Sequence, residues 1–350
     1  MSARAGPRNT ILVGDVRDRL RALPADSVDT VITSPPYLQL RNYAMAAQIG
    51  LEDDVTGWVE ALRDVGRELA RVLKPTGAWW LNLGDSYSRD VRTGAPPKSL
   101  LLGPERLALG LVADGWTIRN KVIWAKPNPM PASVRDRLAC TWEVVYFLVR
   151  SPSYSFDLDA IRVPHRTRST NRRTAKPSSA SSQAVSARPP SWAGPLAGNN
   201  SGLVRYKANG LPGHPLGKNP GDVWTIATAN FRGEHFAVFP TALVEPPLLA
   251  TCPERVCARC GIPWERARAG ALGRLAVRGE LRQVCPCNAG TRPGLVLDPF
   301  FGSGTVGVVA ERHGRDWLGI ELNPAFATLA TSRIADARGE AEPTTQRRAA

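Results

Sequence analysis

The sequence predicts an α/β fold built on a mostly parallel, doubly wound sheet. Apolar strands alternate with amphipathic helical stretches, and that alternation makes a parallel sheet covered on both faces the default. Two loop motifs each follow directly on an apolar run. Thr33-Ser34-Pro35-Pro36-Tyr37 follows Asp29-Thr30-Val31-Ile32, and Asp298-Pro299-Phe300-Phe301-Gly302-Ser303-Gly304-Thr305 follows Leu295-Val296-Leu297. Strand ends of this kind are where open α/β sheets place their ligands. The 350 residues, 43% of them hydrophobic, suffice for one large domain with insertions or for two modest ones.

Taken in order, Thr10-Ile11-Leu12-Val13 reads as a short strand ending in Gly14-Asp15, and Leu20 to Pro24 as a turn or two of helix. After the strand into Ser34, Thr56 is placed to cap a helix running to Leu73. Trp58, Leu62, Val65, Leu69 and Val72 recur along it at three- and four-residue spacing. Lys74-Pro75-Thr76-Gly77 is expected to stop this helix before a buried strand, Ala78 to Leu83, closed by Gly84-Asp85. A helix is expected over Pro104 to Ala113, and strands over Thr117 to Trp124 and Glu143 to Val149.

Order then fails. His165 to Trp192 is rich in Ser, Pro, Arg and Ala, and Asn199 to Pro220 in Gly, Pro and Asn, so both are expected to be irregular. Structure resumes at Asp222-Val223-Trp224-Thr225. A helix follows over Thr241 to Ala250, which Pro246-Pro247 should break or kink. From Gly294 the pattern is strand, glycine loop, helix (Thr305 to His313), strand (Trp317 to Ile320) and Glu321, with a polar, frayed tail after Ala335.

The formal net charge is +14, and its distribution is uneven. No acidic residue lies between Asp159 and Asp222, while that stretch carries ten Lys or Arg, among them Arg162, Arg172, Arg173 and Lys207. Such a stretch attracts polyanions and releases their counterions, although a merely solvated linker has the same composition. Nothing approaches the roughly 20 apolar residues of a membrane span, and Met1-Ser2-Ala3-Arg4 leads into no apolar signal segment. A soluble, cytoplasmic protein is the expectation. Six cysteines in that setting point to metal or free thiols before disulfides.

In the second motif, Gly302 and Gly304 are expected to let the backbone approach a ligand and to free N–H groups at a helix start. Glu321 ends the next strand about 20 residues further on, the spacing at which an acid grips ribose hydroxyls. Asp298 inside the loop opposes a pyrophosphate and suits an ammonium or sulfonium group. In the first motif Pro35-Pro36 stiffens the loop. Ser34 Oγ and the Pro35 carbonyl are then placed to accept hydrogen bonds from one amino group, with Tyr37 stacked on the ring that bears it. Holding that amine near a methyl donor supplies proximity.

These residues resemble the amino-methylating DNA methyltransferases that use S-adenosyl-L-methionine, in the permuted (β-type) order with the catalytic motif first and the cofactor loop last. The resemblance covers about Asn9 to Ile334 apart from the basic insert, and implies a Rossmann-like methyltransferase fold. Ile32-Thr33-Ser34-Pro35-Pro36-Tyr37 is similar to the family's catalytic signature, in the Ser-initial form usual for cytosine-N4 enzymes and shared by several adenine-N6 ones. Ser34, Pro35, Pro36 and Tyr37 would be catalytic. Asp298, Phe300, Gly302, Gly304 and Thr305 would line the methionine half of the cofactor, Glu321 would hold the ribose and Asp15 the adenine. His235, Phe236, Phe239 and Pro240 resemble the segment that closes over the methionine moiety. Lys126, Asn128, Arg135 and Arg137, in the stretch from Val122 to Arg137, resemble a substrate-pocket strand and loop.

The resemblance implies double-stranded DNA as the partner, with the target base flipped out of the stack, and a monomer or dimer. A cognate restriction endonuclease is the partner that a restriction-modification setting would add. The organisation it implies is a catalytic half at 9–160, the basic insert at 161–221 where target recognition is usual, a cofactor-closing segment at 222–250, a zinc-ribbon-like insert at 251–290, a cofactor-binding half at 291–335 and a polar tail at 336–350. Cys257 and Cys260, followed by Cys285 and Cys287, are two close thiol pairs that suit a structural tetrahedral zinc site. Cys252 stands as a spare ligand and Cys140 as a core residue. The reading that emerges is transfer of a methyl group to the exocyclic N4 amine of cytosine in DNA. Adenine N6 is the alternative within the family, and a non-catalytic DNA-binding module the alternative outside it.

Overall fold

A single pairing organises the molecule: the strand that ends at the first motif lies directly beside the strand that ends at the second. In the computed structural model, which describes residues 6–43, 45, 47–165, 214, 216–229, 238–268 and 278–341, β1 (Thr10–Val13) is followed by α1 (Val16–Arg21) and β2 (Val28–Thr33). Next come α2 (Val55–Val72), β3 (Leu73–Leu83), α3 (Gly103–Ala113), β4 (Thr117–Ala125) and β5 (Trp142–Val149). After β6 (Val223–Thr225) and α4 (Thr241–Thr251) come four short strands: β7 (Val256–Cys257), β8 (Glu265–Arg268), β9 (Arg278–Arg282) and β10 (Thr291–Arg292). The chain ends with β11 (Leu295–Asp298), α5 (Thr305–Arg312), β12 (Asp316–Glu321) and α6 (Pro324–Ala341).

Eight strands form one sheet in the order β1-β12-β11-β2-β3-β5-β4-β6. Neighbours from β1 to β3 are all parallel, β5 is antiparallel to both β3 and β4, and β6 is parallel to β4. Only β5 therefore runs against the rest of the sheet. The side chains alternate as a doubly wound sheet requires. Val31, Trp79, Leu295 and Leu297 pack with α1, α2 and α3, while Ile32, Trp80, Val296 and Phe147 pack with α4, α5 and α6.

The structure moves several boundaries. Asp54, not Thr56, caps α2: its side chain accepts from the Gly57 backbone N–H at 2.7 Å, and the helix already includes Val55. Lys74-Pro75-Thr76-Gly77 does not separate helix from strand. β3 starts at Leu73, paired with Val28, and the mismatch is absorbed as a register shift between Val28 and Thr30. The first helix starts at Val16, because Asp15 accepts from the Arg17 N–H at 2.8 Å and nucleates it before Leu20. Pro246 and Pro247 sit inside α4 without ending it; buried Leu243, Val244 and Leu248 on the core side outweigh the missing donors. Helix α6 continues past Ala335 to Ala341, with Ala337 buried in the core below it.

By internal contacts the chain divides into a large unit (Met1–Ile161, Gly221–Glu265 and Leu281–Ala350) and a small one (Arg162–Pro220 and Arg266–Glu280). The small unit's described part has a bridge between Val163 and Lys218, and Arg266 Nη1 donates to the Gly279 carbonyl at 2.8 Å. Most of the basic insert, including Arg166 to Lys207, lies outside the described residues.

At the foot of the sheet, the Asp29 carboxylate on β2 joins three elements. One oxygen binds Lys74 Nζ at 2.6 Å, and the other accepts the Leu295 backbone N–H at 2.9 Å. Both charged side chains are buried, at 9% and 2% exposure. Removing one member of a buried pair leaves the other charge uncompensated, at a cost of about 3–5 kcal/mol. Asp29→Ala is therefore expected to lower the unfolding midpoint in urea far more than Asp18→Ala on the exposed face of α1. Equal midpoints for the two variants would show that the buried pair does not tie these strands.

Candidate active site

Both motifs open into one cavity of about 680 Å³. Ser34, Pro35, Pro36 and Tyr37 line it from the end of β2. Phe300, Gly302 and Thr305 line it from the loop after β11, Glu321 from the end of β12 and Asp15 from the end of β1. The parallel register makes this unavoidable, since Val31 pairs with Leu297 and the loops that follow must emerge side by side. Lys126, Asn128 and Phe239 complete the set of sequence-predicted residues on the wall.

Asp298 lies behind that wall, 1% exposed. Its Oδ1 accepts from Thr33 Oγ1 at 2.6 Å and from the Phe300 N–H at 3.0 Å, so it hydrogen-bonds the residue next to Ser34. Burial pushes its carboxyl up to about 7. Glu321 is held on both oxygens, by the Gly302 N–H at 2.7 Å and the Asn323 N–H at 2.8 Å, and burial raises it too. At Asp15 burial pushes upward, but the hydrogen bonds and charge of Arg17 outweigh it and hold the carboxyl below its ordinary value.

Within the glycine loop the two glycine N–H groups are bonded inside the protein. The Gly302 N–H goes to Glu321, and the Gly304 N–H goes to the Phe301 carbonyl at 2.9 Å. What the glycines supply is geometry: φ is 51° at Gly302 and 77° at Gly304, where a Cβ would also meet Ala330 at 2.8 Å. Arg333 locks the loop from α6, its Nη1 donating to Ser303 Oγ at 2.6 Å.

At the target loop the polar groups form a chain with a fixed direction. Tyr37 Oη donates to Glu143 Oε2 at 2.7 Å, Ser34 Oγ lies 3.2 Å from Tyr37 Oη, and Asn82 Nδ2 donates to the same Glu143 oxygen at 3.1 Å. Lys126 Nζ binds the other Glu143 oxygen. Burial and the Glu143 charge raise Tyr37 well above the ordinary phenol value, so it stays protonated. A carboxylate only accepts, which commits the one phenolic proton to Glu143. Ser34 must then donate to Tyr37, leaving its lone pairs for a ligand. The Pro36 carbonyl is taken by Trp58 Nε1 at 2.9 Å, whereas no described residue donates to the carbonyl of Pro35. Ser34 and Pro35 therefore present acceptors, a pair that suits a ligand with hydrogen-bond donors.

Glu143 and Asn82 were not among the sequence candidates. The one available signal was Asn82, a polar residue inside the apolar run Trp79 to Leu83. Arg41 also lines the cavity, and its Nη1 is buried without a hydrogen-bond partner among the described residues, so it offers a donor to an anionic group. Asn128 also has a structural bond, and other candidates lie off the wall. Asn128 Oδ1 accepts the Thr228 N–H at 2.9 Å and so pins the segment beside β4. Arg135 is exposed and off the wall, and Arg137 stacks over Tyr87 at 3.7 Å. Pro240 caps α4, and His235 and Phe236 lie outside the described residues. Cys140, expected in the core, is exposed and lines the cavity, because residues 131–142 run over the surface.

Comparison with known proteins agrees with this arrangement. Residues 28–332 match the model of the N6_N4_Mtase family, described as DNA methylase. The chain is 32% identical to the type II methyltransferase M.SmaI of Serratia marcescens over 93% of this chain and 90% of the relative. It is also 32% identical to M.SfiI of Streptomyces fimbriatus, over 94% and 91%. The chain belongs to this family. It is an S-adenosyl-L-methionine-dependent DNA methyltransferase of the N4/N6 class. Among solved structures, PvuII DNA methyltransferase (cytosine-N4-specific) superposes with a TM-score of 0.55 at 17% identity, covering 97% of this chain and 94% of the other. TTHA0409 of Thermus thermophilus, complexed with S-adenosyl-L-methionine, gives 0.51 at 20% identity, covering 94% and 95%.

The wall fits the cofactor of a DNA methyltransferase chemically. Glu321 and Asp15 offer carboxylates to hydroxyl and amino groups, Phe300 offers an apolar face, and Asp298 sets a negative potential behind the loop. Because Asp298 titrates near 7, a cationic ligand binds best when it is ionised. Affinity for S-adenosyl-L-methionine is expected to strengthen as pH rises from about 5.5 to about 7.5, by at most about tenfold per unit. Calorimetry on Asp298→Asn should show weaker binding with that slope flattened. An unchanged slope in the variant would assign the titration to another group.

Proposed function

We propose that this methyltransferase modifies the exocyclic N4 amine of cytosine in double-stranded DNA. The observation that carries this reading is the polarity of the target loop. Glu143 forces Tyr37 to donate, Tyr37 forces Ser34 to donate, and Ser34 Oγ and the Pro35 carbonyl are left as paired acceptors beside the cofactor wall. A ring carbonyl or hydroxyl oxygen cannot satisfy two acceptors, whereas an amino group with two N–H bonds can. The Ser-initial form of the motif favours cytosine over adenine.

When bound, S-adenosyl-L-methionine supplies an electrophilic methyl group on a sulfonium sulfur. The residues of this chain do the rest by position. Ser34 and Pro35 orient the amine so that its lone pair leaves the ring plane, and Tyr37, packed against Gly84, is the flat surface for the base. Glu143 and Asn82 act as positioning residues. Lys126 neutralises Glu143 and lies 4.6 Å over the Trp124 ring, which keeps the carboxylate in place without a mobile counter-ion. The target must leave the duplex to enter such a cavity, and the basic insert is placed in sequence to engage the phosphates. A restriction-modification role with a cognate endonuclease belongs to the same proposal.

Expression in a host free of DNA methylation, followed by single-molecule sequencing, is expected to show N4-methylcytosine at a defined motif. N6-methyladenine there would replace cytosine by adenine in this reading, and an unmodified genome would sink it. Ser34→Ala and Tyr37→Phe should each lower methyl transfer about 10²–10³-fold, the scale for losing one preorganised hydrogen-bond group, while cofactor affinity stays near wild type. Glu143→Gln can donate to Tyr37 and thus reverse the chain. It should lower kcat with little change in the DNA KM, whereas a purely structural role would lower the yield of folded protein instead.

A further inference from the structure

We propose that Cys257, Cys260, Cys285 and Cys287 bind one Zn²⁺ ion, and that this metal clasps the ends of a long insertion to the feet of the strands carrying both active-site loops. The four sulfur atoms lie within 4.8 Å of one another, although the two pairs are far apart in sequence. A tetrahedral zinc with Zn–S bonds of about 2.3 Å needs sulfurs about 3.8 Å apart, so small side-chain adjustments close the site. All four are free thiols, and none of the four lines the active-site cavity.

The backbone around each pair is already shaped to hold a metal. The Gly261 N–H donates to the Cys257 carbonyl at 3.0 Å and Gly261 has φ 70°, which turns Cys260 back toward Cys257. Across from it, the Ala258 N–H donates to the Gly290 carbonyl at 3.1 Å, and Gln283 Nε2 donates to the Cys285 carbonyl at 2.6 Å. With four protein thiolates the coordination shell is complete, which is the mark of a structural rather than a catalytic site.

A staple is needed there. Among the described residues of 253–294, the buried apolar side chains are Val256 and the two ligands Cys257 and Cys285. The pairing of β7 with β10 spans only Cys257 to Thr291 and Val256 to Arg292. Beyond the β8–β9 pairing, these described residues contribute few apolar contacts near the ends of the excursion, and metal ligation supplies a cross-link there. The clasp also reaches the sheet. The Gly261 carbonyl accepts from Lys74 Nζ at 3.0 Å, the same ammonium that binds Asp29 and, through it, Leu295. The ends of the insertion meet where the Gly294 N–H donates to the Pro253 carbonyl at 3.1 Å. Cys252 is not a ligand in this arrangement: it packs in the sheet core, where burial raises its thiol.

The test is the metal content of the full-length protein purified without chelator, by plasma mass spectrometry, with no reference to methyl transfer. One zinc per chain is expected, released stoichiometrically as a mercurial titrates the four ligand thiols of Cys140→Ser protein, and read with a chromogenic chelator. Cys257→Ser and Cys285→Ser should lose the zinc and melt at lower temperature, whereas Cys140→Ser should keep it. If the ligand variants fail to fold, the metal content and mercurial-driven zinc release of the wild type still decide the matter. Wild-type protein without zinc, with iron in its place, or with these cysteines in disulfides would overturn the assignment. An active enzyme without zinc would refute this site alone, and a zinc-loaded protein without activity would refute only the proposed function.

Discussion

Everything at the active site depends on the parallel pairing of β2 with β11. Two segments at opposite ends of the chain become neighbours, in the register that sets Val31 beside Leu297, so the loops that follow emerge together. The pairing is bound at both ends of the strands by carboxylates. Asp29 holds the Leu295 N–H below, and Asp298 takes the Thr33 hydroxyl above. Both acids are buried, so these two bonds are shielded from water and strengthened by the low local dielectric.

Electrostatics divides the cavity wall by task. The cofactor side is acidic, with Asp15 and Glu321 on the wall and Asp298 behind it, around a loop whose glycine N–H groups are bonded within the protein. The target side is a directed chain of hydrogen bonds ending on Glu143, balanced by Lys126. A positively charged donor and a neutral amine therefore meet between two differently built surfaces. The aromatic layer behind the target side, where Trp80 stacks on Phe147 at 4.3 Å, gives the strands that carry Asn82 and Glu143 a stiff support.

What the sequence shows and what it hides follow from range. Ser34 to Tyr37 and Asp298 to Thr305 are contiguous motifs on strand ends, so their placement at one cavity was legible, and so was that of Glu321 at the end of the next strand. Glu143 was not, because its partner Tyr37 is 106 residues away and nothing local marks a glutamate near a strand end as that partner. The reversed strand β5 was equally hidden, since an apolar strand reads the same in either direction. Local signals also misled where tertiary packing prevailed. Two prolines stay inside α4 because its buried leucines hold it against the sheet, and the apparent stop after Leu73 is a strand with shifted register. The thiol pairs were visible as spacing, whereas their convergence needed the fold.

The placement of β12 has a consequence for how activity arises during synthesis. This strand is inserted between β1 and β11, so β1 has no hydrogen-bonded neighbour in the sheet until β12 has been made, about 300 residues later. The target loop is translated early, yet its cofactor wall arrives only with the last strand. A nascent or truncated chain that stops before Glu321 thus carries the groups that grip a base but lacks the means to modify it. Permutation makes the ribosome itself a timer, and methyl transfer must await the synthesis of Glu321 and the loop before it.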